Sequence, residues 1–115
     1  MVKTYIHLGR YGDLCTLLPL LHADFKRGEK QTLMVAREFA GILDGIGYVN
    51  PLIHDGPVHD IYGAVKKAHD LGQPWVCTQI NGPREMVEQF VWKPAGVTAS
   101  QCPNYEMEIY RMCGR

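Results

Sequence analysis

The chain has 115 residues, with twelve Lys and Arg balanced by twelve Asp and Glu, a formal charge of zero and 46% hydrophobic residues. This is enough for one domain with a core that needs no staples, and the neutral balance lacks the broad positive field that drives nucleic-acid or anionic-membrane binding. The cysteines at 15, 77, 102 and 113 form no CxxC pair and no zinc-ribbon spacing, so they read as thiols in a reducing compartment. No secretory-leader pattern is visible, and no stretch approaches the ~18 apolar residues that a spanning helix needs. The expectation is a soluble cytoplasmic protein without a transmembrane segment.

In chain order, Lys3 to Leu8 (KTYIHL) reads as a first strand ended by Gly9. From Asp13, residues Leu14, Leu17, Leu18, Leu21 and Phe25 fall on one apolar helix face, and the helix stops at Gly28. Thr32 to Ala36 is a second strand, Arg37 to Ile46 a short helix broken by Gly45 and Gly47, and Val49 to Ile53 a third, weaker strand. His54 to Val58 is loop. Asp60 is placed to cap a helix carrying Ile61, Ala64, Val65, Ala68 and Leu71, which ends at Gly72. Trp75 to Ile80 is the fourth strand. Gly82-Pro83 then opens a helix through Met86, Val87 and Phe90, residues 92–103 read as loop, and 104–113 as a closing helix. Strands separated by single helices imply right-handed crossovers and a mainly parallel sheet, so residues 1–115 are expected to form one α/β, Rossmann-like, three-layer domain.

The segment Leu8-Gly9-Arg10-Tyr11-Gly12-Asp13-Leu14 joins the first strand to the first helix through two glycines. In an open parallel sheet it lies at the carboxyl edge, where ligands bind. Amides at a helix start hold anions. Gly9 and Gly12 permit a sharp turn and a close approach, and Arg10 adds a charge-assisted contact to phosphate or carboxylate. Asp13 has two readings, a helix N-cap and a carboxylate that takes a proton from a ligand hydroxyl, compatible only if one oxygen remains available. The turn has GxxG rather than GxGxxG, and Arg37 and Glu38 follow the second strand, so the dinucleotide fingerprint is incomplete and no cofactor is expected.

The first strand and HLGRYGDLCTLLPLLHAD resemble the opening of glycosyltransferase family 9, the heptosyltransferase-like enzymes, whose first strand runs into a Gly-Asp turn and a proline-containing helix. Pro19 takes the place of that proline. The resemblance continues through the second strand and Arg37, and Pro103 to Gly114 is similar to the segment closing that family's N-terminal domain. It implies half of a glycosyltransferase-B fold, in which the N-terminal domain receives a sugar acceptor and a second domain holds the nucleotide-sugar donor. On this resemblance Asp13 matches the general base, and Gly9, Arg10, Gly12 and Arg37 shape an anionic acceptor site.

Other residues carry weaker expectations. His54, Asp55, His59 and Asp60 form an HDxxxHD cluster, read as solvated loop rather than a metal site. His7, beside the glycine turn, is a satisfied core or cleft-edge residue, while His22 and His69 face solvent. Cys15 reads as a buried structural thiol, and Trp75 and Trp92 as packing residues. Asn81 and Arg84 follow the fourth strand at the ligand-bearing edge, where they either belong to a turn before a helix-starting proline or face the cleft. Two functions follow. One is the acceptor-binding half of a transferase, taking a sugar or phosphorylated acceptor and working with a separate donor domain. The other is a noncatalytic Rossmann-like binding or dimerisation module.

Overall fold

The computed structural model describes residues 2–9, 11–57, 60–79, 84–96 and 113. Their elements run β1 (Thr4–Ile6), α1 (Tyr11–Lys26), β2 (Gln31–Ala36), a 3-10 helix (Arg37–Leu43), β3 (Val49–His54), α2 (Ile61–Asp70) and β4 (Trp75–Cys77). α3 (Arg84–Val87) then passes through a π-helical segment (Glu88–Trp92) into α4 (Lys93–Ala95). The strands form one all-parallel sheet in the order β3-β2-β1-β4, with Tyr5 opposite both Leu33 and Val76, and Leu33 opposite Pro51. The expected α/β, Rossmann-like architecture is present.

The order explains the layering. The β1-to-β2 connection moves one way across the sheet and the β3-to-β4 connection moves back the other way. Crossovers of one hand therefore put α1 and α2 on opposite faces. Both faces of the central strands are covered: Tyr5, Ile6, Leu33, Met34 and Val35 are at most 1% exposed. α1 contributes Leu14, Leu17, Leu18 and Leu21 to the core, and α2 contributes Ile61, Ala64, Val65 and Ala68. Pro51 lies within β3, where its missing N–H is tolerated because this strand is at the edge of the described sheet.

Several features differ from the sequence expectation. Phe25 does not extend the apolar face of α1: it is 43% exposed, and Asp24 is buried instead. The Asp24 carboxylate is held by the Arg27 guanidinium and by Gln31 Nε2 at 3.1 Å, while Gln31 Oε1 accepts from Lys3 N at 2.6 Å. This polar network ties the end of α1 to the starts of β1 and β2, so the last helical turn faces polar partners rather than the core. Second, the third strand runs on through His54, which the sequence reads as loop. Third, Trp92 is not the start of a loop: the chain stays helical to Ala95 and ends on Gly96 at φ 70. Lys93 N–H reaches Glu88 O, five residues back, so the helix widens by one residue just before Pro94, which has no N–H to give. The closing helix expected over 104–113 lies outside the described residues, apart from Cys113, which is buried in a turn.

This burial pattern sets a contrast between two large apolar side chains. Leu33→Ala is expected to lower unfolding free energy by about 2–5 kcal/mol, and Phe25→Ala by no more than about 0.5 kcal/mol. Urea titrations of the two variants check this ordering.

Candidate functional site

β1 and β4 are neighbours, yet the chain leaves β1 toward β2 and reaches β4 from β3. This divergence makes a topological switch point, and a crevice is expected at the carboxyl ends of these two strands. The ladder runs on past the strand ends there, with His7 N donating to Met34 O at 3.0 Å and Thr78 N to Ile6 O at 2.9 Å.

Polar side chains replace apolar ones at this point. His7, Thr78 and Gln79 are each at most 1% exposed. Burying polar groups costs stability unless they are hydrogen-bonded, and the structure supplies bonds: His7 Nδ1 lies 2.8 Å from Thr78 Oγ1, which donates to Ile6 O at 3.2 Å. The other ring nitrogen, His7 Nε2, is 3.9 Å from Asp13 Oδ2. Gly9 closes the cluster. A Cβ on it would lie 3.1 Å from Gln79 Oε1, 3.2 Å from His7 Nε2 and 3.4 Å from Asp13 Oδ2, so a larger residue would crowd the point where the three side chains converge.

Asp13 is not at the N-cap position of α1. The helix begins at Tyr11, two residues before it, so Asp13 sits inside the first turn, where a carboxylate still favours the positive end of the helix. Its side chain is 27% exposed, above the buried His7. Tyr11 fixes this end of the helix by donating to Glu38 O at 3.3 Å and by packing edge-on to Phe39 at 5.1 Å. A Cβ on Gly12 would meet nothing within 4 Å, so the surface in front of it is open.

The other expected site residues fall in different places. Arg37 pairs with Asp55, its Nε donating to Oδ1 at 2.8 Å, and so joins the ends of β2 and β3 through an exposed ion pair. The guanidinium holds the Asp55 carboxyl below the usual carboxylate range. Arg84 pairs with Glu88 on its own helical run. Arg10 and Asn81 lie outside the described residues, as does His59.

The HDxxxHD segment contributes a helix cap. Asp60 Oδ1 accepts from Gly63 N at 3.1 Å, and Asp60 Oδ2 accepts from His54 Nε2, also at 3.1 Å. Gly63 has no Cβ to block that carboxylate. Among the described residues no group of three His, Cys, Asp or Glu side chains converges as metal ligands would.

Cys15 is exposed, contrary to the expectation of a buried thiol: it is next to Leu14, but one residue on turns it about 100° away from the core stripe. Cys77 is buried at the end of β4, and desolvation pushes its thiol up to about 12. An open groove along the exposed side of α1 is lined by Cys15, Leu18, Pro19, His22 and Tyr48. Its rings include His22 tilted on Tyr48 at 4.8 Å.

Thr78 and Gln79 were not distinguishable in the sequence. WVCTQI reads as one strand, whereas β4 stops at Cys77 and leaves both polar residues just past its carboxyl end. No protein-family model matches the chain, and no curated protein or solved structure does so either.

The two glycines of the turn should behave oppositely. Gly9→Ala is expected to cost about 1–3 kcal/mol through overpacking, whereas Gly12→Ala in the first turn of α1 should be neutral or stabilise by up to about 1 kcal/mol. Chemical denaturation separates them. Thiol labelling of the native protein should modify Cys15 rapidly and leave Cys77 untouched until unfolding. Equal rates at the two positions would contradict the burial described.

Proposed function

We propose that this chain binds a hydroxylated ligand, a sugar or a phosphorylated sugar, in the crevice between β1 and β4. In this reading it is the acceptor-side half of a glycosyltransferase-B enzyme of the family 9 type. The observation that carries it is the partly exposed Asp13 carboxylate at the switch point, set over a buried polar floor of His7, Thr78 and Gln79. Packing alone favours apolar residues at such a floor.

Asp13 acts as general base. The acceptor hydroxyl gives its proton to the carboxylate as its oxygen bonds to the anomeric carbon of the donor sugar, and the nucleotide leaves with the electron pair of the broken bond. The donor would be held by a second domain, while residues 1–115 bind and orient the acceptor. Gly9 lets the polar groups converge, and Gly12 leaves an open approach to the start of α1.

The second reading, a noncatalytic binding or dimerisation module, draws on exposed Tyr62 and Leu71 around α2. Pro51 weighs against self-pairing along β3, because it removes a ladder donor from that edge.

The test is thermal-shift titration with mannose 6-phosphate, glucose 6-phosphate and inorganic phosphate, repeated on variants. A sugar phosphate should raise the melting temperature more than phosphate does, and Gly12→Ala should lose that shift while keeping its own stability. Asp13→Asn should cost no more than about 1 kcal/mol of stability. Combined with a donor domain, it should lose on the order of 10²–10⁴ in transfer rate. Full transfer by Asp13→Asn would refute the base assignment, and equal shifts with phosphate and sugar phosphates would refute a sugar site.

A further inference from the structure

Between Leu14 and Phe25, α1 carries a single Asp, Glu, Lys or Arg, and that residue, Asp24, is buried. The solvent side of the helix is therefore uncharged over about three turns. Its exposed ridge consists of Tyr11, Cys15, Pro19, His22 and Phe25, spaced as one face of a helix requires. Tyr11 is 48% exposed at one end, and Phe25 is exposed at the other. α2 differs, because its exposed residues are Tyr62, Lys66, His69 and Asp70, the mixed and charged composition of a solvated face. Ring contacts hold the α1 ridge in place: Tyr11 packs edge-on to Phe39, and His22 is tilted on Tyr48. Between these two pairs runs the groove lined by Cys15, Leu18, Pro19, His22 and Tyr48.

We propose that this ridge is the contact between two copies of the chain, whose α1 helices pack antiparallel about a twofold axis near Leu18 and Pro19. The order of residues along the ridge selects a second copy as the occupant. About such an axis, Tyr11 of one copy comes opposite Phe25 of the other and Cys15 opposite His22, so each contact is made twice, as an isologous interface demands. Electrostatics agree with this choice. Antiparallel packing sets the positive amino end of each helix dipole beside the negative carboxyl end of the other, the ridge adds no charge to be desolvated, and the zero formal charge of the chain raises no repulsion between copies. Asp13 lies two residues from both Tyr11 and Cys15, about 200° around the helix, so the pairing leaves the crevice at β1 and β4 uncovered. The proposal is thus independent of the acceptor reading. Size sets its strength. The 16 residues of α1 span about 24 Å, and a contact one helix wide falls below the about 800 Å² per partner of a standard interface, which makes a weak, concentration-dependent dimer.

Sedimentation equilibrium over a range of concentrations tests this. The wild-type chain should dimerise reversibly with a dissociation constant between about 1 µM and 1 mM. Labelling of Cys15 should slow as the concentration rises through that value. Cys15→Lys and His22→Glu should each raise the dissociation constant about tenfold or more. Combined in one chain, they should return it to within about threefold of wild type, because antiparallel pairing sets each new charge against the opposite one on the other copy. Tyr62→Glu on α2 should leave it unchanged. Both α1 positions are exposed, and circular dichroism checks that the variants fold. A wild-type chain still monomeric at about 1 mM would overturn the proposal. So would a dimer that Tyr62→Glu dissociates and the α1 variants do not, or a double variant no better than the single ones.

Discussion

The carboxyl edge of this domain depends on the pairing of β1 with β4. Without that pairing, Thr78 would not lie beside the Ile6 carbonyl, His7 would have no partner for Nδ1, and a fully buried imidazole would be costly. The pairing arises from chain reversal. After two steps in one direction across the sheet, α2 carries the chain back over the opposite face to the free side of β1. The two strands that meet there form a topological switch point, the place where ligands bind in open α/β sheets.

The two ends of the sheet handle buried polarity differently. At the amino edge, Asp24, Gln31, Arg27 and the Lys3 backbone form a closed set of bonds that pins α1 to the starts of β1 and β2. That network is structural, and it accounts for the burial of Asp24 where the helical period places Phe25. At the carboxyl edge, His7, Gln79 and Asp13 converge on Gly9 and reach toward solvent through the Asp13 side chain. The His54–Asp60 pair is a third arrangement, in which the carboxylate serves the first turn of α2 with one oxygen and the imidazole with the other. Of these three, only the Gly9 cluster combines buried polar groups with a partly exposed carboxylate at a switch point.

Much of the fold was legible because its core-forming residues obey simple periods. Leu14, Leu17, Leu18 and Leu21 mark α1, and the spacing of Ile61, Ala64, Val65 and Ala68 marks α2, including its Asp60 cap. The strand-helix alternation then fixes a parallel α/β sheet. The Gly-Asp turn was legible as the link between β1 and α1, though the position of Asp13 was not, since α1 starts at Tyr11 rather than after Asp13. What the sequence hid are features set by tertiary partners. The exchange of Phe25 for Asp24 needs Gln31 and Arg27, and the helix past Trp92 needs a π-turn that absorbs Pro94. Thr78 and Gln79 join the buried polar cluster at the carboxyl edge because β4 ends at Cys77. Arg37 carries a charge suited to an acceptor site, but its neighbour in space is Asp55, eighteen residues on.

The central claim is one of location: a hydroxylated ligand sits between β1 and β4 over Gly9. Backbone amide NMR during titration with a sugar phosphate tests it most directly. The account predicts that the largest shift changes fall at His7, Gly9, Asp13 and Gln79. Changes confined to the groove of Cys15, His22 and Tyr48, with the Gly9 cluster unmoved, would contradict it.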